Sequence, residues 1–521
     1  MKNTKNPITD DTVKAYYEIL AAYKAGKATL DERIIENEDW WRMRHESKNG
    51  NEETSTGWLF NSIINKHADA MDSLPTASFL PREAGDVAAA QLLSDVIPVI
   101  LEQNRFEKTY SACWYDKLKS GTACYGVFWD PTLDSGIGNV DIRRIDLLNL
   151  FWEPGVSDIQ KSPKVFHVEL QDNSVLAAKY PILADSLTSP DFLANRYYFD
   201  DNTSIQDKSC VIDCYYKKAL GKRQVVHFAK FCNGILLYSS ENDERYKDCG
   251  FYDHGKYPFI LDALYPVQGS PCGFGVIDAM KKTQGQIDAL SSAIVKNARM
   301  ASERRYFVRA DGALNEKEFA DFTRPFVHYH GSGDPSASIM PITSPTLSGV
   351  YVSILKEKID ELKETSGNRD FSQGTASGGV TAAAAIAALQ EAGSKTSRDM
   401  IGSTYRAFEE VCELIICLIA QFYTVPRCFR ITGPSGVQRF IYCSKDELSP
   451  LSARIPVYDI KIRAHKKSAY SRAASNELAT ELYKMGLFSP ENRAQASLCL
   501  SLMDFEGKDE ILAKLATDKN S

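Results

Sequence analysis

Residues 365–390 read TSGNRDFSQGTASGGVTAAAAIAALQ. About fourteen residues crowded with Gly, Ser, Thr and Asn run without a break into a series of alanines, one of the strongest helix-forming runs in the chain. A phosphate cradle, a hinge and a loop lining a hole would all have this composition. What surrounds the stretch decides between them.

Upstream, residues 274–298 form a helical pattern with Ile277, Met280, Ile287, Leu290 and Ile294 on one face and polar residues on the other. At helical rise these residues would reach about 37 Å. Residues 301–345 form an insertion with strand runs around Arg305–Arg309 and Pro325–His330 and a short acidic helix between them. A second helix follows at 350–366, with Val352, Leu355, Ile359 and Leu362 along one face. Downstream of the Gly/Ser loop, 381–424 would run about 66 Å as one helix. AGSKTS (392–397) marks an expected kink, since Gly/Ser pairs are common bend sites.

Toward the N-terminus, 10–46 carries two helical patterns divided near Gly26. TGWLFNSIINKHADAMDSL (56–74) is a helix ended by Pro75. Two more helical stretches, 86–104 and 105–119, close at Gly121. From 122 to about 265 the pattern changes to short β-branched and aromatic runs: TACYGVFWD, VDIRRID, KVFHVELQD, VIDCYYKK, RQVVHFAKF and ILLYSS. Asn233–Gly234 between the last two is a hairpin signal. Strands are expected again over 426–465, and helices over 466–516 with a break at Gly486–Pro490. The fold class is α+β.

Composition narrows the function. At 521 residues there is chain for several domains and a large core. A net charge of −7 argues against a protein that grips nucleic acid over most of its surface. Twelve scattered cysteines, many in apolar stretches, read as reduced core thiols. Cys210 and Cys214 lack a second pair at ligand spacing, so no metal is expected. MKNTKNPITDDTVKAYYEIL has no apolar core of a signal peptide, and VCELIICLIAQFYTV (411–425) is too short to span a bilayer. It reads as a buried helix, and the chain as soluble.

Enzyme motifs are missing. EAGSKT (391–396) places Ser394 between Gly393 and Lys395 and lies in a helical stretch, so it is no P-loop. GFGVID (273–278) lacks the third glycine of a dinucleotide fingerprint. Neither Gly-x-Ser-x-Gly nor His-Glu-x-x-His occurs. His328 and His330 alternate on an expected strand and suit solvent or a neighbouring subunit better than a metal. Trp40–Trp41 suits a core better than a base-stacking platform. The loop at 367–380 could attract anions through helix N–H groups, but no lysine or carboxylate is placed to handle a nucleotide, and no cofactor is expected.

In order and spacing, these parts resemble the portal proteins of tailed double-stranded DNA bacteriophages, over nearly the whole chain. WLFNSIINKHADAMDSLPTASFLP resembles the family's wing. DKLKSGTACYGVFWD (116–130) is similar to its helix–glycine–strand junction, and VDIRRIDLLNLFWEPGVSDIQKSPKVFHV to the strands that follow, with a turn at Glu153–Pro154. The two helices around the insertion look like stem, clip and second stem. TSGNRDFSQGTASGGVTAAAAIAALQEAG is similar to the tunnel loop and the start of the long helix.

The resemblance implies an N-terminal wing over 1–265, a first stem helix over 266–300, a clip over 301–349 and a second stem helix over 350–366. A tunnel loop over 367–380, a long kinked helix with wing strands over 381–465 and a helical crown over 466–521 would follow. It further implies a non-enzymatic ring, expected to be a dodecamer, at one capsid vertex of the virion, assembled in the host cytoplasm. Its partners would be the terminase large subunit, the major capsid and scaffolding proteins, a head–tail adaptor and weakly held DNA, with no membrane. Asn368, Arg369, Phe371, Ser372, Gln373, Gly374, Thr375, Ser377 and Gly378 would line the channel. Arg304, Arg305 and Arg309 would make clip contacts, and Ile277, Ile287, Leu290 and Ile294 stem contacts between subunits. The alternatives are a head–tail adaptor ring or a nucleotide-binding transferase using the Gly-rich loop.

Overall fold

The computed structural model describes residues 7–44, 55–83, 86–183, 186–187, 192–197, 207–221, 223–302, 305–308, 315–321, 323, 325–330, 339–342, 348–367, 395–432, 438–444, 458–466, 469–486 and 493–503. Helix α1 (Asp10–Trp41) is continuous through Gly26, where two helices were expected. A Cβ at Gly26 would lie 2.3 Å from Pro154 Cγ. The glycine therefore lets the helix pass close to another segment and does not interrupt it.

Helix α2 (Trp58–Met71) stops at Asp72, before Pro75. Pro75 belongs to a strand the sequence did not announce, β1 (Ser73–Pro81), which pairs antiparallel with residues near the far end of the chain. Helices α3 (Val87–Gln103) and α4 (Phe106–Ser120) follow. Gly121 ends α4 in the left-handed region at φ 87°, its N–H bonded to the Lys117 carbonyl at 3.0 Å.

The strand region matches the expected runs closely. Strands β2 (Thr122–Asp130) and β3 (Asn139–Arg144) lead to β4 (Leu150–Trp152), β5 (Lys164–Asp172) and the short helix α5 (Asn173–Lys179). Then come β6 (Lys208–Leu220), β7 (Arg223–Cys232), β8 (Ile235–Ser239) and β9 (Phe259–Ala263). Strands β4 to β8 form one antiparallel sheet in sequence order, while β2 is central to a second sheet between β3 and β9. Asn233 and Gly234 both have positive φ, the turn expected between β7 and β8. The first half of α1 covers the larger sheet, with Tyr16, Leu20 and Tyr23 against Phe151, Phe166 and Phe231.

Helix α6 (Val276–Ser302) leads to β10 (Arg305–Val308), the short α7 (Glu316–Ala320) and β11 (Ile339–Ile342). The chain returns through α8 (Gly349–Ser366). Strand β10 pairs with β11, and the run Pro325–His330 forms no strand. Glu318 on α7 takes the His328 backbone N–H at 2.8 Å and its Nδ1 at 2.7 Å, which ties that segment to the helix and leaves Tyr329 alone in a β-bridge.

Helix α9 (Lys395–Phe422) carries the apolar stretch expected to be buried: Val411, Cys412, Ile415, Leu418 and Ile419 are all in the core. Of the expected kink at 392–397, Lys395, Thr396 and Ser397 already belong to α9, while 392–394 and the earlier part of the expected helix lie outside the described residues. Strands β12 (Arg427–Thr432) and β13 (Gln438–Cys443) form a ribbon. Strand β14 (Tyr458–Lys466) is the partner of β1. Helices α10 (Ala469–Lys484) and α11 (Arg493–Leu502) pack through Ala479 and Cys499.

Candidate functional site

Two constructions hold the elements that the sequence singled out. The first is the root of α6. Residues 264–275 thread against the α4–β2 turn: Leu264 N–H donates to the Gly121 carbonyl at 2.8 Å, and Gly273 N–H to Thr122 Oγ1 at 2.8 Å. A Cβ at Gly121 would be 2.2 Å from the Phe274 backbone carbon. Asp278 accepts from Gly275 N–H at 2.9 Å and from Asn37 Nδ2 at 3.0 Å, so α1 and the start of α6 are fastened together.

About two to three turns further, α6 closes the open end of α2. The N-cap of α2 is Gly57, which has no side chain to satisfy the first N–H groups. Gln284 Oε1 accepts from Leu59 N–H at 3.1 Å, and its Nε2 donates to the Thr56 carbonyl at 2.8 Å. Asp288 Oδ1 accepts from Thr56 N–H at 2.8 Å and Thr56 Oγ1 at 2.6 Å. Gln284 and Asp288 are buried, and their polar atoms stand where a local cap would.

The second construction fixes the first described turns of α9. Lys117 on α4 is fully buried, and the three N–H groups of its Nζ are shared among four oxygens: Asp262 Oδ1 (2.7 Å), Ser403 Oγ (2.6 Å), Thr404 Oγ1 (2.6 Å) and the Met400 carbonyl (3.1 Å). Thr404 Oγ1 also contacts Asp262 Oδ2 at 2.6 Å, and the ammonium lies 4.8 Å from the Trp114 ring centroid. Burial pulls the Lys117 pKa below the usual lysine value against the opposing pull of Asp262. A buried charge of this kind persists only when paired and fully hydrogen-bonded. Here it joins α4, β9 and α9.

The sequence-derived candidates fall in three groups. Asn368, Arg369, Phe371, Ser372, Gln373, Gly374, Thr375, Ser377 and Gly378 lie outside the described residues, as do Arg304 and Arg309. Arg305 opens β10 opposite Ile342. Ile277 and Ile287 are fully buried in the chain's own core, while Leu290 and Ile294 are half-buried. The apolar stripe of α6 is thus largely covered within one chain. The subunit contacts expected of Ile277 and Ile287 therefore have no free surface there.

Sequence reading passed over Lys117, Asp262, Thr404, Gln284 and Asp288. A signal existed for Lys117: it continues the buried face Tyr110–Cys113–Trp114 at helical spacing. None existed for the others, whose partners are distant in the chain. Among the described residues no group of His, Cys, Asp and Glu could hold a metal, and no helix is long and apolar enough to cross a membrane.

The far half of α6 and the start of α8 are different in kind. They expose Val295, Met300, Val350, Tyr351, Val352 and Ile354, and the neighbouring Phe307, Phe326 and Met340 are exposed as well. Monomeric proteins seldom display so many large apolar groups together. No curated protein matches the chain. The family model for the phage P22-like portal protein matches residues 68–520, which takes in the Lys117 construction, the α6 side of the first construction, the arm of α6 and α8, and the Gly-rich stretch. With most of its length matched, the chain belongs to the phage P22-like portal protein family.

Proposed function

We propose that this chain is the subunit of a portal ring of about twelve copies, set at one capsid vertex, through which double-stranded DNA is packaged and later ejected. The observation that carries this reading is the exposed two-helix arm, α6 and α8, on a chain whose family is that of phage portals. A lone arm with apolar groups on its outside becomes stable when equivalent arms close around an axis. The segment 301–349 would be the clip that docks the terminase large subunit and, later, a head–tail adaptor, with Arg304, Arg305 and Arg309 among its contacts. Major capsid and scaffolding proteins would meet the outer wing.

In this reading residues 367–380 line the bore, and their small polar side chains let DNA slide with few phosphate contacts. Electron microscopy of the purified protein tests the ring: class averages showing a channelled ring support it, and a 58.1 kDa monomer that binds ATP would sink it in favour of a transferase. Gln373→Lys tests the loop. It adds one cation per subunit at the bore, so packaging should fall while rings form normally, and the defect should ease as salt rises. A packaging defect that is flat with salt removes the loop from the bore.

A further inference from the structure

The arm has two outward stripes of exposed residues. On α6, Lys282, Gln286, Ala289, Ala293, Lys296 and Met300 are all exposed. Their spacing alternates four and three residues, which keeps them on one face of a helix over its length. On α8 the half-buried or buried side runs through Leu355, Ile359 and Leu362, and the opposite side carries Val350, Ser353, Glu357, Asp360 and Glu364, all exposed. Helices α6 and α8 pack on each other within the chain, so each stripe faces away from that contact.

The two stripes carry opposite charge. The exposed side chains of α6 include Lys282, Lys296 and Arg299 and no acid, because its two carboxylates, Asp278 and Asp288, are turned into the root. The α8 stripe carries three acids and no base. Among the described residues, Lys282, Lys296, Glu357, Asp360 and Glu364 take part in no ion pair, whereas Lys358 and Glu361 beside them do, at 2.7 Å.

We infer that the α6 stripe of one subunit seats on the α8 stripe of the next, a head-to-tail contact between two copies of this chain. The inference rests on the ring reading and adds to it which surfaces meet. Rotation about a ring axis keeps all α6 helices parallel, so α6 meets its neighbour's α8 antiparallel, as it meets its own. At the clip end Met300 then faces Val350, apolar against apolar. Lys296, one turn along, falls between Ser353 and Glu357. Lys282, about 27 Å from Met300, comes within side-chain reach of Glu364, which is about 21 Å from Val350. Ala289 and Ala293 in the middle leave room for close approach. The contact is heterologous, so it closes into a ring when the rotation permits.

Charge exchange tests this directly. One full-length variant carries Lys282→Glu and Lys296→Glu, which makes both stripes acidic. The other carries Glu357→Lys, Asp360→Lys and Glu364→Lys, which makes both basic. Each alone should remain below ring size by light scattering, with thermal melting showing a folded chain. Mixed in equal amounts they should assemble, with native mass spectrometry showing the two in one-to-one ratio. Strict alternation closes only rings with an even number of subunits, which the expected twelve satisfies. If wild-type chains form rings and either variant alone does so equally well, the stripes do not meet and the inference fails while the ring reading stands. Failure of the folded variants to assemble when mixed also overturns it, because another partner then occupies the stripes. Wild-type chains that stay monomeric overturn the ring reading itself.

Discussion

The two halves of α6 live in different surroundings. Over Val276–Asp288 the helix is locked to α1, α2 and α4: Ile277, Met280 and Ile287 are buried, and Gln284 and Asp288 serve as caps for another helix. Over Ala293–Ser302 most side chains are exposed, including Val295 and Met300 at about two-fifths of their full area. One continuous helix is therefore finished at its root and unfinished along its arm. The root should answer to mutation in folding stability, and the arm in assembly.

The strongest way to break this contrast is at Lys117. Lys117→Met leaves the Asp262 carboxylate buried with only hydroxyl partners, and the cost should be about 3–5 kcal/mol of stability. Chemical denaturation of the single variant and of Lys117→Met with Asp262→Leu measures the pair. The double variant should recover much of the loss, since it buries no unpaired charge. A single variant as stable as wild type would mean the junction does not anchor α9.

Next in size is an acid sensitivity at His254. Its ring stacks on Tyr252, and its Nδ1 accepts the Lys256 backbone N–H at 3.1 Å, which requires an unprotonated nitrogen there. Burial first, then the Lys256 and Lys217 charges, pushes its pKa down from 6.5 to about 4. Between those values the unfolded chain takes a proton that the folded chain refuses. This contribution is therefore complete above about pH 6.5 and is lost as pH falls toward 4, by at most about 3 kcal/mol. His254→Gln should flatten that part of the stability–pH curve, and an unchanged slope would remove His254 as its source.

A smaller loss is expected at Gly26. Gly26→Ala places a methyl against Pro154, and α1 or the 153–155 turn must shift, at a cost of about 1–3 kcal/mol. Thermal melting measures it. The smallest effect belongs to the arm: Val295→Ser with Met300→Ser should change the stability of the isolated chain by no more than about 0.5 kcal/mol while reducing ring yield in sedimentation. A large loss of chain stability would show the arm to be packed within one subunit after all.

Much of the architecture could be read locally. The runs KVFHVELQD and TACYGVFWD became strands at their expected limits, and α8 spans nearly the expected residues. Alternation and helical period are properties of neighbouring residues, and they survive folding. Three readings failed where the deciding atom lay outside the run being read. Gly26 looked like a break because Pro154, its neighbour in space, is more than a hundred residues distant. Pro75 looked like a helix stop, whereas it stands in a strand opposite Ala464. Pro325–His330 has the composition of a strand but loses an N–H to Glu318.

The candidate site divides in the same way. By itself the sequence determined that α6 and α8 are amphipathic helices around an insertion and that a long helix lies beyond the Gly-rich stretch, because helical periodicity is written in consecutive residues. It could not say what covers each face. The tertiary structure decided that Ile277 and Ile287 are used inside the chain and that Lys282, Lys296, Glu357 and Asp360 are left outside. It also decided that a lysine in the middle of α4 ties down a helix almost three hundred residues later. An apolar or charged face specifies only that it needs a complement, and which complement it meets depends on contacts between segments remote in the chain.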